Sequence, residues 1–485
     1  MRKRNGWVIV FLLSLVGLIF YIFYMFSNTG NGLATPGVTD SNQAGGSLPI
    51  PQILKDTNPD PKVAEFNLNT QKGTMEFFSG TKTNTYGYNG NFLGPIIRVR
   101  TGEQVKINVK NGLDEPTTVH WHGLEIPGKM DGGPHQEIYP GQVWSPNFTI
   151  NQPAATLWYH PHLLHKTGEQ VFKGLAGLIY IDDDISDRLT IPKDYGKNDI
   201  PLVIQDRRFT SSKQFDYNIG MRDMMMGILG DTVLVNGAIN PYFDVTEGKI
   251  RMRLLNGSNA RIYNFHLSDN QPFWQIASDG GFLEKPVELT EVKLAPGERA
   301  EIIVDFSKYK IGDQIELQSD DFSIMNFRVK ATGKDLSLPN QLVTIDKIPE
   351  SEATVKRAFE FQGMGPTVNI NGKQFNMERI DENLKLNAME VWEISNTTMG
   401  MSMGRNGEIA HPFHAHGVQF QILDRDGKTP PLNETGWKDT ILVHSGETVR
   451  AIARFKYEGM FMYHCHILEH EDAGMMGQFQ VGQGK

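Results

Sequence analysis

From about residue 50 onward the apolar positions come in short alternating or continuous runs. Among them are IIRVR (96–100), VKINVK (105–110) and GLIYI (177–181), separated by Gly, Pro, Asn and Asp. Period-two alternation bounded by turn residues predicts strands and tight turns, and helical periodicity is sparse. The body is therefore expected to be mainly β, built from β-sandwiches or barrels. The N-terminus differs in kind. Residues 7–26 form an uncharged, almost wholly apolar run preceded by Arg2, Lys3 and Arg4. At about 1.5 Å per residue such a run just crosses a hydrocarbon core about 30 Å thick. The basic flank places the rest of the chain outside the cytoplasm. Residues 1–26 are expected to be a signal anchor, or alternatively a signal peptide cleaved near Gly32 and Ala34. A buried core helix fits poorly, because no polar face interrupts the run. Residues 27–49, rich in Gly, Ser, Asn and Thr, read as a flexible tether.

The strand pattern also repeats. Near residues 111–181 an Asn-containing strand end leads to HWHG, IYPGQ, LWYHPH and GLAGLIYI; near 390–481 the order recurs as VWEISN, HPFHAHG, VHSGETV, MYHCH and GMMGQFQV. Residues 250–306 carry RMRLLNGSNARIYNFHL and LAPGERAEIIVDF, in the same order but without paired His. Three related sandwiches follow, at 50–185, 186–335 and 336–485, with the polar stretch 331–356 leading into the last. A length of 485 residues agrees, at roughly 150 per domain.

Composition narrows the chemistry. A formal net charge of −9 offers no basic surface, so nucleic acid is not expected as a partner. The single Cys, Cys465, excludes internal disulfides, iron–sulfur clusters and all-thiolate zinc sites. An exported fold without disulfides must rely on large cores.

Histidine supplies the positive signal. Ten of the 14 His fall in four short segments, at 120, 122, 160, 162, 411, 414, 416, 464, 466 and 470. Structural His residues usually occur singly, whereas imidazole is the commonest metal ligand. In a strand, residues i and i+2 share a face, so His120/His122, His160/His162 and His414/His416 each present two imidazoles in one direction. His464-Cys465-His466 puts two imidazoles on one face and the thiol on the other, so one strand can join two metal sites. A thiolate, two imidazoles and a soft thioether favour a blue (type 1) copper centre; His411, Cys465, His470 and Met475 supply them, with even steps of five from Cys to His to Met. That spacing favours Met475 over Met476. The other eight His leave imidazole-only ligation for further coppers. His135, His165, His266 and His444 read as structural.

HWHG (120–123), HPH (160–162), HPFHAH (411–416) and HCHILEHEDAGM (464–475), in this order, resemble the four copper-binding segments of the multicopper oxidases. The resemblance covers essentially residues 60–485. HWHGLEIPGKMDGGP, GDTVLVNG and HCHILEHED are most similar to the bacterial three-domain members, the copper efflux oxidases and spore-coat laccases. It implies three consecutive cupredoxin-like Greek-key sandwiches and four copper ions: one type 1, one type 2 and a type 3 pair. Carried over, His120 and His414 hold type 2 copper; His122, His160 and His466 hold one type 3 ion, and His162, His416 and His464 the other. One-electron oxidation of substrate at type 1 copper would be coupled to four-electron reduction of dioxygen to water. Asp131 and Glu471 match acidic residues that relay protons in the family; each could instead orient a His.

The expected substrates are Cu(I), phenols or aromatic amines, with a role in copper tolerance. Met224–Met226 and Met399, Met401 and Met403 offer soft thioethers suited to Cu(I), although Met is also a common gap-filler. The long Met-rich insertion of the copper efflux oxidases is missing, which favours a more open, laccase-like site. The protein is expected to be monomeric and extracytoplasmic. Non-enzymatic alternatives are copper sequestration and a structural role like that of the cell-division member of this superfamily, which has lost its copper ligands. Copper nitrite reductase lacks the double His around its Cys, so that rival is weak.

Overall fold

The computed structural model describes residues 45–320, 322–333, 336–398 and 409–482. The apolar N-terminal run and Met399, Met401 and Met403 lie outside the described residues. Among the described residues no helix is long and apolar enough to cross a membrane.

The chain is mainly strand, as the alternating runs predict. The runs quoted above become strands Ile97–Arg100, Gln104–Asn111 and Gly177–Asp182. Among the described residues, six sheets enclose three separate large cores. The first core takes side chains from the sheet built on Val63–Phe78 and Gln104–Asn111 and from the three-stranded sheet Ile97–Arg100, Gly177–Asp182 and Ala155–Tyr159. The second lies between a seven-stranded and a five-stranded sheet formed from strands between Asp199 and Val329. The third lies between two five-stranded sheets formed from Val355 to Gly482. Each core pairs two faces because an amphipathic sheet must bury one side.

The third sandwich fixes the chemistry by register. Strand His411–Ala415 runs antiparallel between Thr440–Val443 and Gly459–Cys465, with His414 opposite both Thr440 and His464, and Phe413 opposite Cys465. Directly opposed residues share a face. His414 and His464 therefore point to one side of the sheet, while His411, Phe413 and Cys465 point to the other, into the core.

One local expectation needs correction. His120/His122 and His160/His162 do not lie within strands; they sit beyond strand ends, joined by an isolated antiparallel bridge between His120 and His160. Pro161 has no N–H with which to extend a ladder, and Gly123 turns the chain at φ 93°. The bridge still holds the two pairs side by side.

Candidate metal centre

The ten histidines and Cys465 are all buried, and they separate into two groups. In the first, Cys465 Sγ lies 3.3 Å from His411 Nδ1 and 3.8 Å from His470 Nδ1. His470 reaches this point because the short helix Leu468–Asp472 turns the chain back immediately after the HCH strand. The outer nitrogens are engaged: His470 Nε2 meets the Met225 carbonyl at 3.1 Å, and His411 Nε2 lies 3.3 Å from Thr398 Oγ1. Both rings thus present Nδ1 inward. Met475 is buried in the same core as Cys465 and its carbonyl accepts the Cys465 N–H. Met476 instead pairs with His464 across the sheet and so takes the other face.

The second group gathers eight imidazoles from all four segments. His162, His416 and His464 converge through Nε2, with His162 and His416 at 3.1 and 3.2 Å from His464. The Nε2 atoms of His120 and His414 are 3.5 Å apart. His122 Nδ1 lies 3.4 Å from His160 Nε2, and the His466 ring centroid is 5.0 and 5.4 Å from those of His122 and His160. Rings stack across the group, His120 on His416 and His122 on His414, each with centroids 3.7 Å apart. His466 has no hydrogen-bond partner at either ring nitrogen, an unusual state for a buried imidazole. Imidazole nitrogens crowded together in a buried cage, with His466 left unpartnered, fit a set of soft-to-borderline transition metal ions.

Most ring orientations are fixed from behind, which is how proteins set the ligating nitrogen. The Nδ1 atoms of His120, His160, His464 and His414 face the carbonyls of Asp131, Pro161, Cys465 and Asp439 at 2.7–3.1 Å. Asp131 Oδ2 lies 2.7 Å from His416 Nδ1, so this carboxylate orients a ring of the cage directly. Glu471 sits behind the other two: its oxygens lie 3.2 Å from His464 Nδ1 and 3.5 Å from His162 Nδ1, without a well-aligned hydrogen bond to either. Burial, and then the neighbouring Asp472, hold the Glu471 carboxyl well above the usual carboxylate range. A buried acid raised in this way keeps its proton to higher pH than an ordinary Glu.

No motif or spacing in the chain points to Asp439. Its Oδ1 lies 3.0 Å from His122 Nε2, across 317 positions of chain. His135, His165 and His266 lie outside the cage, bonded to Gln478 Oε1, the Asp472 carbonyl and the Asn264 carbonyl. The backbone N–H of His444 donates to Glu447.

Burial holds His122, His160, His162, His411, His414, His416 and His464 well below the ordinary imidazole range, with His466 pushed down to about 3 and His470 to about 4. Neutral rings are the form that binds metal. Unfolded His titrates near 6.5, so between pH 6.5 and about 4 protons bind the unfolded chain preferentially. Each such ring then removes about 1.4 kcal/mol of stability per pH unit of acidification. Buried Glu125, Asp279, Glu298, Glu469, Glu471 and Asp472 are raised and act in the opposite sense. Nine lowered His outnumber them. Metal-free protein should therefore unfold at lower urea at pH 5 than at pH 7; an equal or higher midpoint at pH 5 contradicts the neutral cage.

Comparisons agree with this geometry. Two sequence profiles described as multicopper oxidase match residues 69–186 and 346–485. The chain is 44% identical over 442 residues to the multicopper oxidase mco of Staphylococcus haemolyticus, covering 91% of this chain and 94% of that one. It is 35% identical to the cell division protein FtsP of Photorhabdus laumondii, covering 89% and 91%. Among solved structures, a laccase from Pediococcus acidilactici superposes with TM-score 0.85 at 43% identity, covering 90% of this chain and 93% of that one. The laccase-like multicopper oxidase CueO of an Ochrobactrum species superposes with TM-score 0.81 at 38% identity, covering 90% and 100%. Agreement at this identity over nine-tenths of the chain places the protein in the multicopper oxidase family, and makes it a copper-dependent oxidase with a cupredoxin-like fold.

Proposed function

We propose that the chain holds four copper ions and couples one-electron oxidation of Cu(I), phenols or aromatic amines to reduction of dioxygen to water, outside the cytoplasm and in the service of copper tolerance. The division into sandwiches at 50–185, 186–335 and 336–485 belongs to the same reading. Type 1 copper is assigned to His411, Cys465, His470 and Met475. Type 2 copper is assigned to His120 and His414. The type 3 pair is assigned to His122, His160 and His466, and to His162, His416 and His464. The observation that carries the reading is the position of Cys465: its sulfur meets His411 and His470 on one face, while its chain neighbours His464 and His466 reach the eight-imidazole cage on the other.

Bound copper supplies one-electron redox chemistry and the site where dioxygen is reduced. The chain does the rest. His464-Cys465-His466 is a covalent path between the two donor groups. Glu471 holds a proton beside His162 and His464, and Asp131 holds the orientation of His416. The burial of the cage excludes bulk water, which strengthens every electrostatic interaction in it.

Substrate choice is read from the outer edge of His470. The short helix Met221–Met226 lies against this edge, and its Met225 carbonyl bonds His470 Nε2. Met224 and Met225 are partly exposed there and lie beside Gly365. Soft thioethers at the point of electron entry favour Cu(I). Replacing Met224, Met225 and Met226 together with Ser should lower kcat/KM for Cu(I) about tenfold, the loss of about 1.4 kcal/mol of soft-ligand contact, while a phenol changes less than twofold. Equal effects on both substrates would remove the Met helix from the account. Oxygen uptake and copper analysis test the whole reading: wild-type protein with about four coppers that consumes oxygen supports it. Copper-loaded protein that consumes none would leave sequestration or a structural role.

A further inference from the structure

The middle sandwich carries no paired His, yet its turn LAPGER reaches the copper cage. A Cβ added at Gly297 would stand 2.9 Å from His466 Cδ2, so the backbone of this turn is packed directly on that ring. Two residues on, Arg299 is fully buried and spends all of its donors. Nε donates to the Thr156 carbonyl, Nη1 to the Gly297 carbonyl and Nη2 to the Asp279 carbonyl. The remaining two N–H groups grip Asp439 bidentately, Nη1 to Oδ1 at 2.7 Å and Nη2 to Oδ2 at 2.6 Å. A guanidinium has five N–H groups in a fixed fork, so this arrangement admits one orientation of Asp439.

Asp439 in turn controls two stacked rings. Its backbone carbonyl accepts from His414 Nδ1, leaving Nε2 to face the cage, as in most of the other rings. Its Oδ1 lies 3.0 Å from His122 Nε2, with Thr440 Oγ1 beside it at 3.1 Å. A carboxylate can only accept, so His122 carries its proton on Nε2 and turns Nδ1 toward His160. Within the cage His122 is thus reversed relative to His120, His160, His414, His416 and His464, whose Nδ1 atoms are the ones engaged from behind.

We propose that Arg299 is a positioning residue for the cage: by clamping Asp439 it sets the reversed tautomer of His122 and the orientation of His414, and so gives the ligand-free middle sandwich a direct part in copper binding. The assignment of copper to these rings rests on the function proposed above; the tautomer does not. Lys cannot reproduce the fork, so charge alone is insufficient.

Ring 15N NMR of metal-free, histidine-labelled full-length protein tests this, with the His122 resonance assigned by its loss in His122→Gln. Wild type should show His122 protonated at Nε2. Asp439→Asn can turn an amide N–H toward the ring and should move the proton to Nδ1; Arg299→Gln and Arg299→Lys should give a mixture. After copper loading, the Arg299 variants should keep the blue type 1 absorption. They should bind type 2 and type 3 copper about 10- to 100-fold more weakly, with altered type 2 electron paramagnetic resonance hyperfine splitting. A wild-type His122 protonated at Nδ1 overturns the proposal even where no variant folds. So do Arg299 variants with the wild-type tautomer and unaltered copper spectra. Wild type with the expected tautomer but no type 2 or type 3 copper overturns the function reading and leaves the clamp standing.

Discussion

Cys465→Ser should yield a colourless protein that no longer consumes oxygen with any reducing substrate, and that contains one copper fewer than wild type. Among the described residues the sulfur is the only thiol within reach of His411 and His470, and the intense blue absorption of such centres depends on a copper–thiolate bond. Burial pushes the Cys465 thiol far up, so in metal-free protein it is neutral and metal must displace its proton. A Ser hydroxyl at the same place is harder, shorter and far less acidic, and cannot take over. Because His464 and His466 keep their own backbone positions, the eight-imidazole cage should still fill. Elemental analysis and visible absorption check both halves. A blue C465S protein, or one that loses all its copper, would break the assignment of separate donor groups.

Glu471→Gln should slow oxygen reduction about 10²- to 10⁴-fold, the range for loss of a positioned acid, with colour and copper content unchanged. The side chain is buried, has no well-aligned hydrogen bond, and faces His464 Nδ1 and His162 Nδ1. Gln keeps its size and polarity but cannot release a proton. The carboxyl is raised by its burial, so it keeps its proton to higher pH than an ordinary Glu and loses it as pH rises through its folded value. Wild-type turnover should accordingly decline on the alkaline side, and E471Q should lack that limb. If E471Q instead lost type 3 copper, Glu471 would be an orienting group, as Asp131 is for His416 through its 2.7 Å contact.

The family and the donor set were legible because their signals are local. A spacing of two places imidazoles on one side of a strand, and the step of five from Cys465 to His470 returns the chain to the same sulfur across one helical turn, with Met475 following into the same core. Even where HWHG and HPH proved to lie beyond their strands, the His120–His160 bridge did the work that the pleat was expected to do. Fold class was legible for the same reason, since sheet periodicity is a nearest-neighbour property.

What the sequence by itself determined is therefore which side chains gather into candidate metal sites and which kind of metal they suit. Only the tertiary structure decided which ring nitrogen each His offers and what holds it there. That depends on groups brought together by sheet register and sandwich packing: Thr440 opposite His414, Asp439 against His122 across 317 positions, and Arg299 of the middle sandwich against Asp439. No periodicity links such residues. Their contacts arise from the shapes of three cores packed together, and an imidazole's two nitrogens are distinguished only by what lies behind the ring.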